Sequence, residues 1–386
     1  MKKPWRVAVV GGGPAGATCA RLLARSGARV TLFEASPGQE KPCGGGVPAS
    51  ALREFPELTD PALPRRVSTD VVMFGPSDVQ ARLSLRGGLH LFARRELDAF
   101  LRARARVEGA EVVETRVTSA RRGAGGLWEL STDQGAAGPY DRLVAADGVH
   151  GAIGRQLAGP FPEEQLTLAI YAYVPVVPRG EVVLKFFDGF NGYLWVFPRR
   201  DHLSVGICGL SGRVTVTRLK EELHRFIETH HPEARVASGV LKGYFIPASP
   251  RPPRRLKGTG SAGGWAMVGD TGGFVDPLTR EGIAHAMRSS VTVASRMAQE
   301  ANLATPELHP DLRWAHAHGS AFYRGDFLDA MTRLAGSAPA IRRVLADLLT
   351  GDQSYRGLKR RLLLNAIPCG MQVGFRTLAA IVAAAR

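Results

Sequence analysis

The stretch Arg6-Val7-Ala8-Val9-Val10-Gly11-Gly12-Gly13-Pro14-Ala15-Gly16 runs from five β-prone residues into a cluster of glycines. Residues 17–25 follow at helical spacing, and Ala28-Arg29-Val30-Thr31-Leu32-Phe33 has the pattern of a second buried strand, ending at Glu34. Together they read as a βαβ unit with Gly11-x-Gly13-x-x-Gly16 at its first turn. Each glycine has a mechanical reason there: a tight turn, close approach of backbone to a pyrophosphate, and close packing of helix on strand. The helix N-terminus, with Ala15 in its first turn, directs N–H groups at an anion, and Glu34 is placed to accept from ribose hydroxyls. Spacing alone says little, because 45 glycines in 386 residues generate about 0.6 such matches by chance. Gly258-x-Gly260-x-x-Gly263 is a decoy of that kind: it precedes a strand and opens no helix. The strand before Gly11, the helix after it and Glu34 distinguish the first match as a dinucleotide site.

Further strands are expected at 71–74, 111–118, 127–131 and 143–146, with a helix over 95–107. The region 166–246 is strand-rich, with strands at 168–174, 182–187, 193–197 and 203–206 forming a meander that faces a pocket, interrupted by a helix over 216–230. Pro250-Arg251-Pro252-Pro253-Arg254-Arg255 marks a connection. A short strand at 265–268 and a long helix over 283–301 then return the chain to the first domain. Residues 306–386 are helical in pattern and basic, with Arg356, Lys359, Arg360 and Arg361 ahead of an apolar stretch.

Two later segments bear on which dinucleotide is bound. Leu143-Val144-Ala145-Ala146-Asp147-Gly148 is a strand ending in Asp-Gly. Trp265-Ala266-Met267-Val268-Gly269-Asp270 is a strand ending in Gly-Asp, followed by a glycine-rich loop that runs past Pro277 to Gly282 and by the helix that starts at Ile283. An aspartate fixed at a strand end can bind a polyol hydroxyl, and a helix N-terminus can set N–H groups against a developing negative charge. The order of these motifs resembles the flavoprotein monooxygenase and geranylgeranyl reductase superfamily, which implies FAD as the cofactor and Asp270 as a ribityl contact. Arg94, in Arg94-Arg95-Glu96-Leu97-Asp98, resembles the superfamily arginine that reaches the flavin nucleotide, with Arg95 as its rival and a solvated helix face as the plain alternative.

Lys41-Pro42-Cys43-Gly44-Gly45-Gly46-Val47-Pro48 and Tyr193-x-Trp195-x-Phe197-Pro198 narrow the resemblance to the geranylgeranyl reductase family of isoprenoid-saturating flavoenzymes. In that family the cysteine-glycine loop, here Cys43, Gly44 and Gly45, lies near the flavin, and the aromatic strand lines a lipid pocket. Alternate strand residues project to one face, so Tyr193, Trp195 and Phe197 would form one aromatic wall; ordinary core packing is the other reading of that stripe. Cys43 has three readings: a small buried hydrophobe, a proton donor, or a thiol that tunes the flavin. In Asp276-Pro277-Leu278-Thr279-Arg280-Glu281-Gly282 the chain has Asp and Arg where Asn and Gly are also familiar in the superfamily. Arg280 is therefore either a stabiliser of anionic reduced flavin or the partner of a neighbouring acid. The resemblance implies an α/β fold: a discontinuous Rossmann-type FAD-binding domain (1–70, 94–160 and 256–305), a strand-rich α+β substrate domain (71–93 and 161–255) and a helical C-terminal region (306–386).

Composition sets the outer bounds. With 45% apolar and 22% charged residues the chain reads as folded and large enough for more than one core. Its four cysteines, Cys19, Cys43, Cys208 and Cys369, contain no CxxC pair, which argues against a disulfide framework or a thiolate metal site. His316-Ala317-His318 is read as a solvated helix pair, so no metal is expected. Neither a signal peptide nor a membrane span is expected. A cytoplasmic protein follows, whose basic tail would let it rest on an anionic inner membrane surface. The net charge of +15 also suits nucleic acid in principle, but the basic residues do not interleave with aromatics as a single-strand groove requires.

The expected chemistry is saturation of isolated C=C bonds in a prenyl chain, with hydride from reduced FAD and a proton from Cys43 or a water beside it. No second dinucleotide fingerprint passes the context test, so the electron donor is NADPH bound transiently or a ferredoxin-like carrier protein. The alternative is an aromatic or polyketide monooxygenase using NAD(P)H and oxygen at the same flavin site.

Overall fold

A computed structural model of the chain describes residues 4–366, apart from 179, 233, 235, 237–239, 250, 254–263 and 300–305. The decoy glycines Gly258, Gly260 and Gly263, part of the Pro/Arg connection, Cys369, the end of the helix expected to run to 301, and 367–386 lie outside the described residues.

The first strand, Arg6–Val10, is the middle of a five-stranded sheet in which every observed pairing is parallel. Its neighbours are Arg29–Phe33 on one side and Arg142–Ala145 on the other; Trp265–Met267 and Glu111–Val113 form the edges. Val9 is opposite Leu32 on one side and Val144 on the other. Val7, Ala8 and Val9 have no exposed surface, as a strand covered on both faces requires. The helix Pro14–Arg25 starts on a proline in its first turn, where a missing N–H costs nothing. It packs against Arg94–Val107 and Ile283–Ala298. Ser290 Oγ donates to the Ala15 carbonyl at 2.7 Å, which fixes the late helix on the glycine turn.

The second sheet has eight strands in the order Lys242–Ile246, Thr167–Val174, Leu203–Leu210, Tyr193–Pro198, Val182–Phe186, Arg66–Phe74, Gln80–Leu91, Gly46–Pro48. Of the meander read from 168 to 206, Val182–Phe186, Tyr193–Pro198 and Leu203–Leu210 are successive antiparallel neighbours, but Thr167–Val174 pairs with Leu203–Leu210 and not with Val182–Phe186, which lies parallel to Arg66–Phe74; 216–230 is helical with the expected bounds. Gln80–Leu91 is a strand the sequence reading missed. Its signal was an alternation of buried Ala81, Leu83 and Leu85 with polar neighbours, cut short by Gly87 and Gly88 at φ +73° and +75°. The expected single strand at 111–118 is two. Glu111–Val113 closes the parallel sheet, the chain bends at Thr115, whose N–H returns to the Val113 carbonyl, and Val117–Arg122 begins a separate three-stranded sheet.

Helices Pro310–Phe322, Gly325–Ser337, Pro339–Thr350 and Tyr355–Ala366 cover the second sheet, burying Leu334, Ile341 and Val344 against Leu83 and Leu85. Among the described residues no helix is long and apolar enough to cross a membrane. The histidine reading is corrected here. His316 is 4% exposed, its Nδ1 donates to the Ser249 carbonyl at 2.8 Å, and Nε2 has no partner; His318 stacks on Trp314 at 4.1 Å. Helical spacing put the pair on one helix, but docking of that helix turned His316 inward.

Burial lowers the His316 pKa to about 4, so the folded chain binds fewer protons than the unfolded chain between that value and the ordinary ~6.5. Stability from this residue is therefore complete above pH 6.5 and is lost as pH falls towards 4, by up to about 3 kcal/mol. In urea unfolding across that window, His316→Gln is expected to flatten the pH dependence by that amount; a parallel curve would contradict a neutral buried imidazole.

Candidate active site

The ends of the parallel strands and the face of the second sheet enclose a cavity of about 670 Å³. Gly11 and Gly13 follow the first strand, Glu34 the second, and Asp147 the strand Arg142–Ala145, so three adjacent strand ends converge at the opening, where open α/β sheets bind ligands.

The glycine turn passes a steric test for a dinucleotide. A β-carbon on Gly11 (φ +103°) would lie 2.3 Å from the Ala146 carbonyl oxygen, and one on Gly16 would lie 1.8 Å from the Gly11 oxygen. Only glycine permits this approach of helix, turn and strand. Gly13 and Ala15 border the cavity while Gly16 is the packing contact behind them. Glu34 accepts from Gly12 N and Ser36 N, both at 2.7 Å, and its remaining lone pairs face the cavity. Arg94, not exposed Arg95, reaches this turn. Its guanidinium pairs with Asp98 at 2.9 Å, and its Nη2 lies 3.6 Å from where a Gly13 β-carbon would be.

The two strand-end aspartates differ. Asp147 accepts from Ile153 N at 2.7 Å and from Gly154 N at 3.3 Å, capping the helix Ala152–Ala158, and Thr271 Oγ1 ties it to the Gly-Asp loop. Its cavity-facing role is thus shared with Gly148, whose N–H binds Thr271 Oγ1 at 2.7 Å. Asp270 forms a 2.9 Å ion pair with Lys41, which also lies over the Tyr244 ring at 5.6 Å. Burial alone would raise the Asp270 pKa, but Lys41 and Arg94 hold it below the ordinary value. Gly269 (φ +58°) and Pro277 lie behind the cavity wall, Gly269 packed on Ala15, whereas Gly282 and Ile283 border the cavity. The helix begins at Ile283, as read from the sequence, and Asp276 caps the turn between Pro277 and that helix through Leu278 N and Thr279 N.

Cys43 and Gly44 border the cavity; the next residue, Gly45 (φ +76°), has its N–H 3.2 Å from Cys43 Sγ. Two residues that the sequence reading missed hold this loop. Arg199, 1% exposed, donates to the Cys43 and Gly44 carbonyls and to Glu40 at 2.6 Å. Glu40 also accepts from Arg94 N at 2.9 Å and Arg95 N at 2.8 Å, at the start of the helix Arg94–Val107. Burial would raise the Glu40 pKa, but Arg199 and those amides leave it lowered. The sequence signal was faint: a basic residue directly after the aromatic strand.

Tyr193, Trp195 and Phe197 all border the cavity on one strand face. Each is fixed: Tyr193 OH donates to the Thr279 carbonyl at 2.6 Å, Trp195 Nε1 to Ser204 Oγ at 3.2 Å, and Phe197 packs on Gly44. The wall therefore faces the cysteine loop directly. Arg280, at φ +59°, also reaches the cavity. No cluster of His, Cys, Asp or Glu among the described residues could hold a metal ion.

Residues 5–168 match the family model described as pyridine nucleotide-disulphide oxidoreductase. The chain is 31% identical to a geranylgeranyl diphosphate reductase of Synechocystis sp., over 89% of this chain and 88% of that one. It is 30% identical to a digeranylgeranylglycerophospholipid reductase of Methanoculleus marisnigri, over 81% and 82%. Among solved structures, a geranylgeranyl bacteriochlorophyll reductase-like protein of Thermoplasma acidophilum superposes with a TM-score of 0.73 at 22% identity, over 93% of this chain and 98% of that one.

Removing Arg199 leaves the Cys43 and Gly44 carbonyls and the half-buried Glu40 without their shared donor, a loss of about 1–3 kcal/mol. Arg199→Ala is expected to lose that much in urea unfolding, and Arg199→Lys to recover only part, since one ammonium cannot span three acceptors in the guanidinium's geometry. Equal stability of Arg199→Ala and the native chain would contradict the clamp.

Proposed function

The chain belongs to the geranylgeranyl reductase family of FAD-dependent oxidoreductases, and on that premise we propose that it saturates C=C bonds of a geranylgeranyl-type chain. The observation that carries this reading is the aromatic wall of Tyr193, Trp195 and Phe197, which borders the same cavity as Cys43 and Gly44. Bound FAD, once reduced, supplies the hydride equivalent.

The chain's own residues do the rest. The amides of Gly13 and Ala15 and the Arg94 guanidinium would hold the pyrophosphate, with Glu34 beside the ribose. Asp270, its carboxylate fixed by Lys41, and Gly148 would hold the ribityl chain, and the backbone at Gly282 and Ile283 would border the ring. The aromatic strand excludes water and orients the alkene, which offers no enolate for the protein to stabilise, so positioning and proton supply decide the rate. Cys43, with its Sγ held beside the Gly45 amide, is the assigned proton donor. NADPH or a ferredoxin-like carrier supplies electrons. The exposed Arg356 and Arg360 of the last described helix suit contact with an anionic membrane surface from which a lipid substrate is drawn.

The test is anaerobic reduction of the FAD-loaded protein with NADPH or reduced ferredoxin, then addition of a geranylgeranyl lipid in one arm and oxygen in the other. Reoxidation of the flavin by the lipid, with a gain of two hydrogens per bond, is expected. Indifference to lipid combined with substrate hydroxylation under oxygen would instead make the protein a monooxygenase. Cys43→Ala is expected to slow the lipid arm by roughly 10²–10⁴, while leaving flavin reduction by the donor at the native rate. An unchanged lipid rate would remove Cys43 from proton delivery.

A further inference from the structure

The turn 276–281 leads to Gly282 and Ile283, which border the cavity at the head of the helix Ile283–Ala298. Its backbone closes on itself twice: Asp276 N donates to the Glu281 carbonyl and Arg280 N to the Asp276 carbonyl, both at 2.9 Å. Three tyrosine hydroxyls then fasten it from outside. Tyr193 of the aromatic strand donates to the Thr279 carbonyl at 2.6 Å, Tyr323 to the Leu278 carbonyl, and Tyr355 of the last described helix to Asp276 Oδ2 at 2.7 Å.

Tyr355 differs from the other two because it ends on a side chain that itself orders the turn. Asp276 is 6% exposed, and its other oxygen accepts from Leu278 N at 2.7 Å and Thr279 N at 3.2 Å. Rotation of that carboxylate would release both amides, and a buried carboxylate oxygen without a donor is costly. The Tyr355 hydroxyl opposes both. Burial and the adjacent Asp276 push the Tyr355 pKa well above its ordinary value, so the hydroxyl keeps its proton and remains a donor. Its ring stacks on Trp314, 5.5 Å between centres at 6°, which fixes the direction of the hydroxyl.

Tyr355 closes the segment Gly351-Asp352-Gln353-Ser354-Tyr355, whose first residues meet a second support of the cavity. At Gly351 (φ +75°) a β-carbon would lie 2.1 Å from Ser50 Oγ, and Asp352 pairs with Arg53. Ser50 and Arg53 belong to the helix Ala49–Glu54, which follows the cysteine loop through the short strand Gly46–Pro48. One segment therefore abuts the helix after the cysteine loop and the turn before Gly282.

We propose that Tyr355 is a positioning residue for the flavin: through the Asp276 carboxylate it sets the turn 276–281, and with it the backbone of Gly282 and Ile283 against the ring. This rests on the placing of the ring beside those two residues, and it extends the working site to a helix none of whose described residues borders the cavity.

The test compares the native protein, Tyr355→Phe, Asp276→Asn and the double variant, all FAD-loaded, by the absorbance bands of the bound flavin, the release of FAD on dilution, and reoxidation of the reduced flavin by a geranylgeranyl lipid. Tyr355→Phe keeps the stacked ring and removes only the hydroxyl. It is expected to shift the flavin bands, to weaken FAD binding by about 10–100-fold, the range of a hydrogen bond to a charged group, and to slow turnover of the lipid by about 10-fold or more with KM unchanged. Asp276→Asn keeps an oxygen for the two amides but makes the bond to Tyr355 a neutral one, so in that background Tyr355→Phe is expected to weaken FAD by only about 2–10-fold. Native flavin bands and FAD release in Tyr355→Phe, whatever its stability in urea, or equal losses in the two backgrounds, overturn the assignment. Shifted bands and faster FAD release in Tyr355→Phe, together with a native protein that does not reduce the lipid, support Tyr355 while overturning the prenyl reading.

Discussion

Arg199 joins the parts of this molecule that must act together. It leaves the aromatic strand of the second sheet, passes over the Tyr173 ring at 5.1 Å, and ends on Glu40 and the carbonyls of the cysteine loop. Glu40 in turn accepts from the first amides of the helix that carries Arg94. One guanidinium thereby links the aromatic wall, the cysteine loop and a helix of the parallel-sheet layer. Arginine is the side chain for this task, because its planar fork satisfies several oxygens at fixed angles and stays charged when buried.

A second layer of charge lies within the cavity. Lys41–Asp270 and Arg94–Asp98 are both close pairs at its wall, and each presents a cation whose charge is already balanced. Buried pairs of this kind add little net stability, since desolvation offsets attraction. Their effect is on geometry: Lys41 fastens the cysteine loop to the Gly-Asp loop, and Arg94 stays beside the glycine turn.

Much of this was legible in the sequence. The turn from Val10 to Gly16 was readable because strand, glycine spacing and helix are local, and sterics at Gly11 and Gly16 admit no other residue. The stripe of Tyr193, Trp195 and Phe197 was readable because a strand's period of two leaves no choice of face. What escaped depends on contacts distant in sequence. Arg199 and Glu40 are 159 residues apart, and nothing local marks either. His316 reads as a surface residue until Ser249 meets it across 67 positions. The bend at Thr115 divided an apparently continuous strand between two sheets, a choice made by packing and not by propensity. Asp147 was identified as a cavity residue, yet its capping of the helix Ala152–Ala158 could be known only once that helix was placed.

A flavin lodged between the two sheets is the claim on which the rest stands, and a crystal structure of the FAD-loaded protein bears on it most directly. The expected result places the pyrophosphate at the amides of Gly13 and Ala15, with the ring system in the cavity bordered by Cys43, Gly44, Tyr193 and Trp195. A ring system outside that space, or FAD bound away from the glycine turn, would contradict it.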